Sequence, residues 1–206
     1  MFSFTVSIIV ITCLISISGF SNSRIIDDLI FWPPAISNQK QYYRFVSCGL
    51  IHADYMHLAF NMLTLFFFGR EMEDRYRHDL GLPRYIFFIL YLSALIVSVL
   101  PSYFRHRHDY NYRSLGASGA VCAILFAFIL LEPWQTIYVF FIPVPAIIYA
   151  LLFLGYSIYA SQRGGGYINH DAHFYGALFG ILFTIIASPA VLNIFIRKLQ
   201  HPHFYF

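Results

Sequence analysis

The sequence predicts an all-α membrane protein, a single domain over residues 1–206 that forms a bundle of six transmembrane helices. Its 206 residues are 59% hydrophobic and only 11% charged, whereas soluble domains carry about 25% charged residues. Between residues 114 and 162 the only formal charge is Glu132. Because this length suits one membrane domain, we expect no large soluble domain.

Six apolar stretches account for the predicted helices. The first has no Lys or Arg before its apolar run. It therefore lacks the charged start of a signal peptide, and we expect a retained helix. Pro143 and Pro145 precede the fifth stretch, where proline is tolerated in a first helical turn. Three glycines at 164–166 predict a flexible link before the sixth stretch. The stretches cover about residues 2–20, 55–69, 85–100, 116–131, 146–159 and 172–186.

Charge and cysteine content restrict the partners. A net charge of +3 is too small to indicate a nucleic-acid partner, so we expect the lipid bilayer as the main surroundings. Cys13, Cys48 and Cys122 are odd in number and far apart in the sequence. This spacing predicts neither a disulfide framework nor a metal site, and we interpret the three as packing residues.

The fourth stretch places a serine below the membrane surface. Its 16 or so residues span roughly 24 Å, less than the hydrocarbon core of about 30 Å. The first turn, which contains Ser118, therefore needs shelter in protein or in a water-filled cavity. The helix dipole there favours developing negative charge, and Gly116 and Gly119 allow close approach. Small residues at these positions are equally typical of a tight helix crossing.

The sixth stretch carries a histidine above small residues. His173, Gly176, Ala177 and Gly180 recur at i, i+3, i+4 and i+7 on one face, which predicts close packing against a partner helix. If that partner is the fourth helix, His173 meets Ser118, and the two form a nucleophile–base pair. Ionisable groups inside a membrane are costly and are functional candidates by default. The alternative is a hydrogen-bonded core histidine.

The second stretch adds possible hydrogen-bond donors. His57 and Asn61 lie at i and i+4 on one face, and both side chains can donate. Two donors aimed at one point suit a tetrahedral intermediate, although interhelical packing would also explain them. The pairs His52/His57 and His170/His173 raise the alternative of a metal site. Since neither pair has the i, i+4 spacing of a helical zinc pair, we expect no metal and no cofactor.

Five motifs follow one another in order between residues 44 and 180. They are Arg44 eight positions before a histidine, HxxxxHxxxN at 52–61, a glycine-started acidic and basic turn at 69–75, GxSG at 116–119, and AHxxGxxxG at 172–180. In this order, and on these helices, they make the chain resemble the rhomboid intramembrane serine proteases. The resemblance covers most of the chain and is to the minimal six-helix bacterial type.

The resemblance implies a role for each matching residue. Ser118 would be the nucleophile, and His173 would be the general base and later the general acid, without a third carboxylate. Asp171 lies two residues before His173 and so faces elsewhere on the helix. His57 and Asn61 would stabilise the oxyanion, helped by the Ser118 backbone N–H.

Other matching residues would support the site. His52 would organise the first loop, and Arg44, which lies in that loop, would be a further structural residue. Glu73 and Arg75 would fix the turn after the second helix. Gly176 and Gly180 would allow the fourth and sixth helices to pack closely, and Gly116 and Gly119 beside the serine would be further structural residues.

Two positions depart from the family pattern. The family commonly has Trp-Arg in the first loop, where this chain has Tyr43 and Arg44. It also often has a tyrosine four residues after the serine, which stacks on the catalytic histidine. Cys122 stands there in this chain, so the packing around His173 is expected to differ.

The implied activity is acyl transfer to water, with transmembrane segments of single-span or polytopic membrane proteins as substrates. We expect it in a bacterial inner membrane, with the fifth helix and the loop after it gating substrate access. One alternative is a catalytically silent rhomboid-like protein that binds transmembrane segments, although such proteins usually lose the serine or the histidine. Another is a transporter or metal carrier, which would spread its ionisable residues along several helices.

Overall fold

The computed structural model describes residues 3–139, 141–163 and 169–202, and these confirm the all-α membrane class. Within these residues, three helices are long and apolar enough to cross a membrane, namely Phe4–Ser21, Tyr85–His106 and His170–Ala187. The helices are α1 Phe4–Ser21, α2 Ser23–Leu29, α3 Pro33–Gln39, α4 Arg44–Ser47, α5 Tyr55–Thr64, α6 Arg70–His78, α7 Tyr85–His106, α8 Ser118–Leu131, α9 Ala146–Arg163, α10 His170–Ala187 and α11 Ala190–Gln200.

Helix α8 forms the centre of the bundle. All of its residues after Ser118 are buried, as expected for a helix that is apolar on every side. Helices α10 and α7 pack against it most extensively, and α11 and α9 also contact it. The helix begins at Ser118 rather than at residue 116, because Gly116 adopts a φ of 113°, outside the helical region. Its 14 residues make a helix of roughly 21 Å.

The second predicted helix is longer than expected, and the predicted turn after residue 69 is wrong. Helix α5 continues through a π-helical segment, Leu65–Gly69, directly into α6. Arg75 pairs with Glu71 at 2.9 Å and with Asp79 at 3.0 Å, both at a spacing of four residues. Such pairs stabilise a helix, so the charged run extends the helix to His78 instead of ending it.

Other boundaries also differ from the prediction. The third helix runs to His106 instead of residue 100 because it continues through Pro101. Proline is tolerated inside membrane helices, where neighbouring groups satisfy the freed backbone. The sixth begins at His170, two residues early, because the Asn169 side chain caps it by accepting the Ala172 N–H at 3.0 Å.

The fifth helix begins at Ala146, as predicted, and ends at Arg163. Its two preceding prolines lie in a strand rather than in the first helical turn. Strands β1 (Thr136–Val139) and β2 (Ile142–Pro145) form an antiparallel hairpin in which Thr136 pairs with Pro145. The predicted glycine link at 164–166 lies outside the described residues. Helix α11 lies outside the six predicted stretches; it has 11 residues and carries charge in its last turn.

The first loop, residues 22–54, contains α2, α3 and α4. The Arg44 guanidinium, only 5% exposed, donates to the carbonyls of Asp27 at 2.9 Å and Ile30 at 2.7 Å. Phe31 is fully buried and exchanges backbone hydrogen bonds with Ser114. The loop is therefore fixed to the segment that leads into α8.

Glu73 of α6 connects that helix to the start of α1. Its carboxylate, 1% exposed, accepts the backbone N–H groups of Phe4 and Thr5 at 3.0 and 3.2 Å. Arg84 donates to the same carboxylate at 2.9 Å. Because the first N–H groups of a helix have no partner within it, Glu73 stabilises the start of α1 from a neighbouring helix.

Candidate active site

Ser118 is the first residue of α8, and a glycine two residues earlier sets its position. Gly116 has a φ of 113°, a conformation that glycine adopts without steric cost, and its N–H donates to Cys48 O at 2.9 Å. A Cβ at this glycine would lie 2.9 Å from His57 Nε2. Gly116 therefore lets the chain turn into α8 with the His57 ring packed against its backbone.

The structure brings Ser118 and His173 together. His173 Nε2 lies 2.8 Å from Ser118 Oγ, a hydrogen bond between α10 and α8. This distance is within the range for proton transfer between a nucleophile and a base.

Two glycines of α10 make this contact possible. A Cβ at Gly176 would lie 2.1 Å from Gly119 O, and one at Gly180 would lie 2.0 Å from Ala123 O. Real Cβ atoms do not approach backbone oxygens so closely. The backbones of α8 and α10 therefore touch along two helical turns, as small residues permit in membrane proteins.

His57 and Asn61 lie beside the pair, in one cavity with it. The cavity has a volume of about 580 Å³, and its lining includes Ser118, His173, His57, Asn61, Gly116 and Ser98. The Ala53 N–H points to His57 Nδ1 at 3.4 Å, which leaves the ring proton on Nε2, close to Gly116. Asn61 Nδ2 donates one hydrogen to His57 O at 2.9 Å, and its second hydrogen remains for a ligand.

His52 supports the segment before the serine. It accepts the Ala117 N–H on Nε2 at 3.4 Å, so its proton lies on Nδ1, which is 3.0 Å from Ser16 Oγ. Ser16 in turn donates to Leu50 O at 2.9 Å. Burial and the neighbouring His57 ring lower the pKa of His52 to about 3. A neutral His52 thus connects α1, the first loop and the start of α8.

Asp171 is turned away from His173, as predicted. It pairs with Arg105 of α7 and accepts a hydrogen bond from Ser161 of α9. Among the described residues, no carboxylate hydrogen-bonds to the His173 ring. Within the part of the chain that the structure describes, the candidate site therefore pairs a serine with a histidine and has no third acidic member.

Arg75, which was expected to fix a turn after the second helix, does not line this cavity. Arg75 contacts Glu132 at 2.7 Å, and Lys198 of α11 reaches the same carboxylate at 2.7 Å. Glu132 follows the last residue of α8, at the opposite end from Ser118. Arg75 thus joins α6 to the far end of the central helix and does not fix a turn.

The described residues contain no group of three or more side chains that could hold a metal ion. The His52 and His57 rings lie edge to face with centroids 4.9 Å apart, and those of His170 and His173 are 5.9 Å apart. Both pairs pack edge to face, with interplanar angles of 75° and 85°.

Two residues near the site were missed. Asn169 caps α10 and lies 3.3 Å from Ser102 and Ser114, and an asparagine before a helix is a recognisable capping signal. Phe153 of α9 packs on His173, with centroids 6.0 Å apart. Nothing in an apolar helix distinguishes that phenylalanine from its lipid-facing neighbours.

Comparison with known families agrees with this geometry. The model of the Rhomboid domain matches residues 39–190, which include Ser118, His173 and every other residue of the candidate site. The chain belongs to the rhomboid family. Members of this family act in the membrane as intramembrane proteases or as rhomboid-like proteins.

Curated relatives support the assignment. Rhomboid protein 1, mitochondrial, of Saccharomyces cerevisiae is 32% identical over 160 residues, which cover 75% of this chain and 44% of the relative. RHOMBOID-like protein 12, mitochondrial, of Arabidopsis thaliana is 31% identical over 144 residues, 64% of this chain and 42% of the relative. The chloroplastic Rhomboid-like protein 11 of the same plant is 29% identical over 167 residues, 73% and 54% respectively.

The chain therefore spans about half the length, or less, of these relatives. Their names place them in mitochondria or chloroplasts. The expected bacterial inner membrane finds no support among them.

Proposed function

We propose that this rhomboid chain is an intramembrane serine endopeptidase that cleaves transmembrane segments of single-span or polytopic membrane proteins. The observation that carries the proposal is the 2.8 Å contact between Ser118 Oγ and His173 Nε2, in a cavity that His57 and Asn61 also line. A half-buried serine hydroxyl and an imidazole at this distance are the parts of a nucleophile and its general base.

The first half of the reaction forms an acyl-enzyme. The Ser118 Oγ–H proton passes to His173 Nε2 while Oγ bonds to the scissile carbonyl carbon, whose electron pair moves onto the oxygen. The oxyanion accepts hydrogen bonds from His57 Nε2–H, from the free Asn61 Nδ2–H and from the Ser118 backbone N–H. The C–N bond then breaks, and His173 gives its proton to the leaving amine.

The second half releases the product. A water molecule gives a proton to His173 as its oxygen attacks the ester carbon, and the same donors stabilise the second oxyanion. Collapse breaks the bond to Oγ, and the proton on His173 returns to the serine. Because water is needed, the cavity must open to an aqueous surface.

The test is cleavage of a single-span substrate in proteoliposomes by the unchanged protein, Ser118→Ala and His173→Ala. We expect each variant to lose at least about a thousand-fold in kcat, since members of such a pair act as a unit. Ser93→Ala and His78→Ala are matched controls. Ser93 donates within α7, to Ile89 O and Leu90 O, and His78 is exposed at the end of α6. We expect both to retain activity.

Other outcomes would contradict the proposal. Equal cleavage by all variants would show that another site performs the chemistry. Binding of the substrate without cleavage by the unchanged protein would favour a catalytically silent rhomboid-like protein.

A further inference from the structure

The His173 ring is held without a carboxylate among the described residues. In a Ser-His-Asp triad, a buried carboxylate fixes the tautomer and orientation of the imidazole. Here the nearby Asp171 pairs with Arg105 and Ser161 instead. Something other than an acidic partner must keep the imidazole aimed at Ser118 Oγ.

Two rings pack against the imidazole. Phe153 lies with its centroid 6.0 Å from that of His173 and its plane inclined by 30°. The His170 ring approaches at 5.9 Å and is nearly perpendicular to it. His170 belongs to the same helix as His173, so Phe153, from α9, is a ring contact that restrains the imidazole from outside α10, in addition to the hydrogen bond with Ser118.

Phe153 is itself firmly placed. Its ring centroid is 5.7 Å from that of Phe126, which is buried in α8, and 5.5 Å from that of Tyr149 one turn earlier. The phenylalanine thus bridges α8, α9 and the His173 ring at the point where the three helices meet.

Two further residues of α9 contact the first turn of α10. Tyr156 meets the His170 ring edge to face at 5.4 Å, and Ser161 donates to Asp171. The opposite side of α9 has no such contacts, with Leu152 67% exposed in the described structure. Phe153, Tyr156 and Ser161 therefore form the edge of α9 that follows the first turns of α10.

We infer that Phe153 is a positioning residue that keeps the His173 imidazole aimed at Ser118, an inference that rests on the proposed endopeptidase function. The ring packing does what a triad carboxylate does by hydrogen bonding, and it makes α9 part of the reactive geometry. Without the phenyl ring, the imidazole can turn away from Ser118 Oγ. A misplacement of about 1 Å at a reacting group costs on the order of a hundred-fold in rate.

The test compares Phe153→Ala, Phe153→Leu and Phe153→Tyr by two readouts. One is the rate at which a small fluorophosphonate labels Ser118, which needs the base but no docking of a transmembrane segment. The other is kcat and KM for a single-span substrate in proteoliposomes. Leu152→Ala is the matched control, since it shortens the adjacent lipid-facing side chain of the same helix.

We expect the alanine and leucine variants to lose about 10- to 100-fold in both labelling rate and kcat. KM should stay within about twofold, because the interaction acts in the reaction step rather than in binding. The tyrosine variant and Leu152→Ala should behave like the unchanged protein. If the alanine variant fails to fold, Phe153→Leu decides, since it keeps most of the apolar volume without a ring.

Labelling of Phe153→Leu at the unchanged rate would overturn the inference, whatever its effect on cleavage. A raised KM with normal labelling would assign Phe153 to substrate binding instead. If the unchanged protein neither labels nor cleaves, the proposed endopeptidase function itself fails, and that result differs from a defect confined to the Phe153 variants.

Discussion

Helix α10 packs against α8 backbone to backbone, whereas its contact with α9 is made by side chains. On the α8 side, Gly176 and Gly180 leave no room for a Cβ, which would lie 2.1 and 2.0 Å from backbone oxygens. On the α9 side, aromatic pairs such as Phe153 and His173 have centroids 6.0 Å apart. The first contact cannot shift without breaking the packing, but the second can adjust through rotation of side chains.

The two contacts position different parts of the site. The backbone contact determines how far apart the Ser118 and His173 main chains lie, and therefore whether their side chains can meet. The ring contact determines how the imidazole points once they have met. Aromatic pairs contribute only about 0.5–1.5 kcal/mol each, so α9 can move at moderate cost while α8 and α10 stay together.

The largest expected effect is on the backbone contact. Gly180→Ala places a methyl group 2.0 Å from Ala123 O, and we expect a loss of about 3 kcal/mol in the free energy of unfolding. Cleavage should fall with it, because α8 and α10 must separate. Thermal unfolding in detergent measures the first effect. An unchanged melting temperature would mean that the two helices are not in backbone contact.

A smaller effect is expected at the C-terminal end of α9. Asp171→Ala removes the carboxylate that joins Ser161 of α9 and Arg105 of α7 to α10. Since the Arg105 side chain is 55% exposed, water screens the pair, and we expect a loss of about 1 kcal/mol. Amide hydrogen exchange should rise in α9 and not in α8. Asp109→Ala, in the exposed loop after α7, is the matched control, and equal exchange in both variants would refute the role of Asp171.

The smallest effect is expected at Gly155, on the exposed side of α9. Apart from its two chain neighbours and the backbone of its own helix, no described residue has a heavy atom within 4 Å of a Cβ added at Gly155. Glycine within a helix costs roughly 0.5–1 kcal/mol relative to alanine, so Gly155→Ala should stabilise the protein slightly and leave cleavage unchanged. The same substitution would then have opposite signs at Gly155 and Gly180. A loss of stability at Gly155 would show that this side of α9 is covered in the folded protein.

The site residues were more predictable than the element boundaries. Ser118, His173, His57 and Asn61 were named from local spacing, and the structure brings them to one cavity. The spacing of glycines on one face predicted the close crossing of α10, because a periodic face records what packs against it. The continuation of the second helix to His78 was missed, since a dense charged run resembles a loop when its i, i+4 pairs are overlooked.

The membrane class, the family and the candidate reactive residues could all be predicted from the amino-acid sequence. Each of these depends on composition or on short spacings, which remain unchanged however the chain is folded. Only the tertiary structure decided that Glu73 caps α1, that Asp171 joins α9 to α7, and that Phe153 packs on His173. These contacts join residues from different helices, and an apolar helix carries no local signal of which neighbour each side chain will meet.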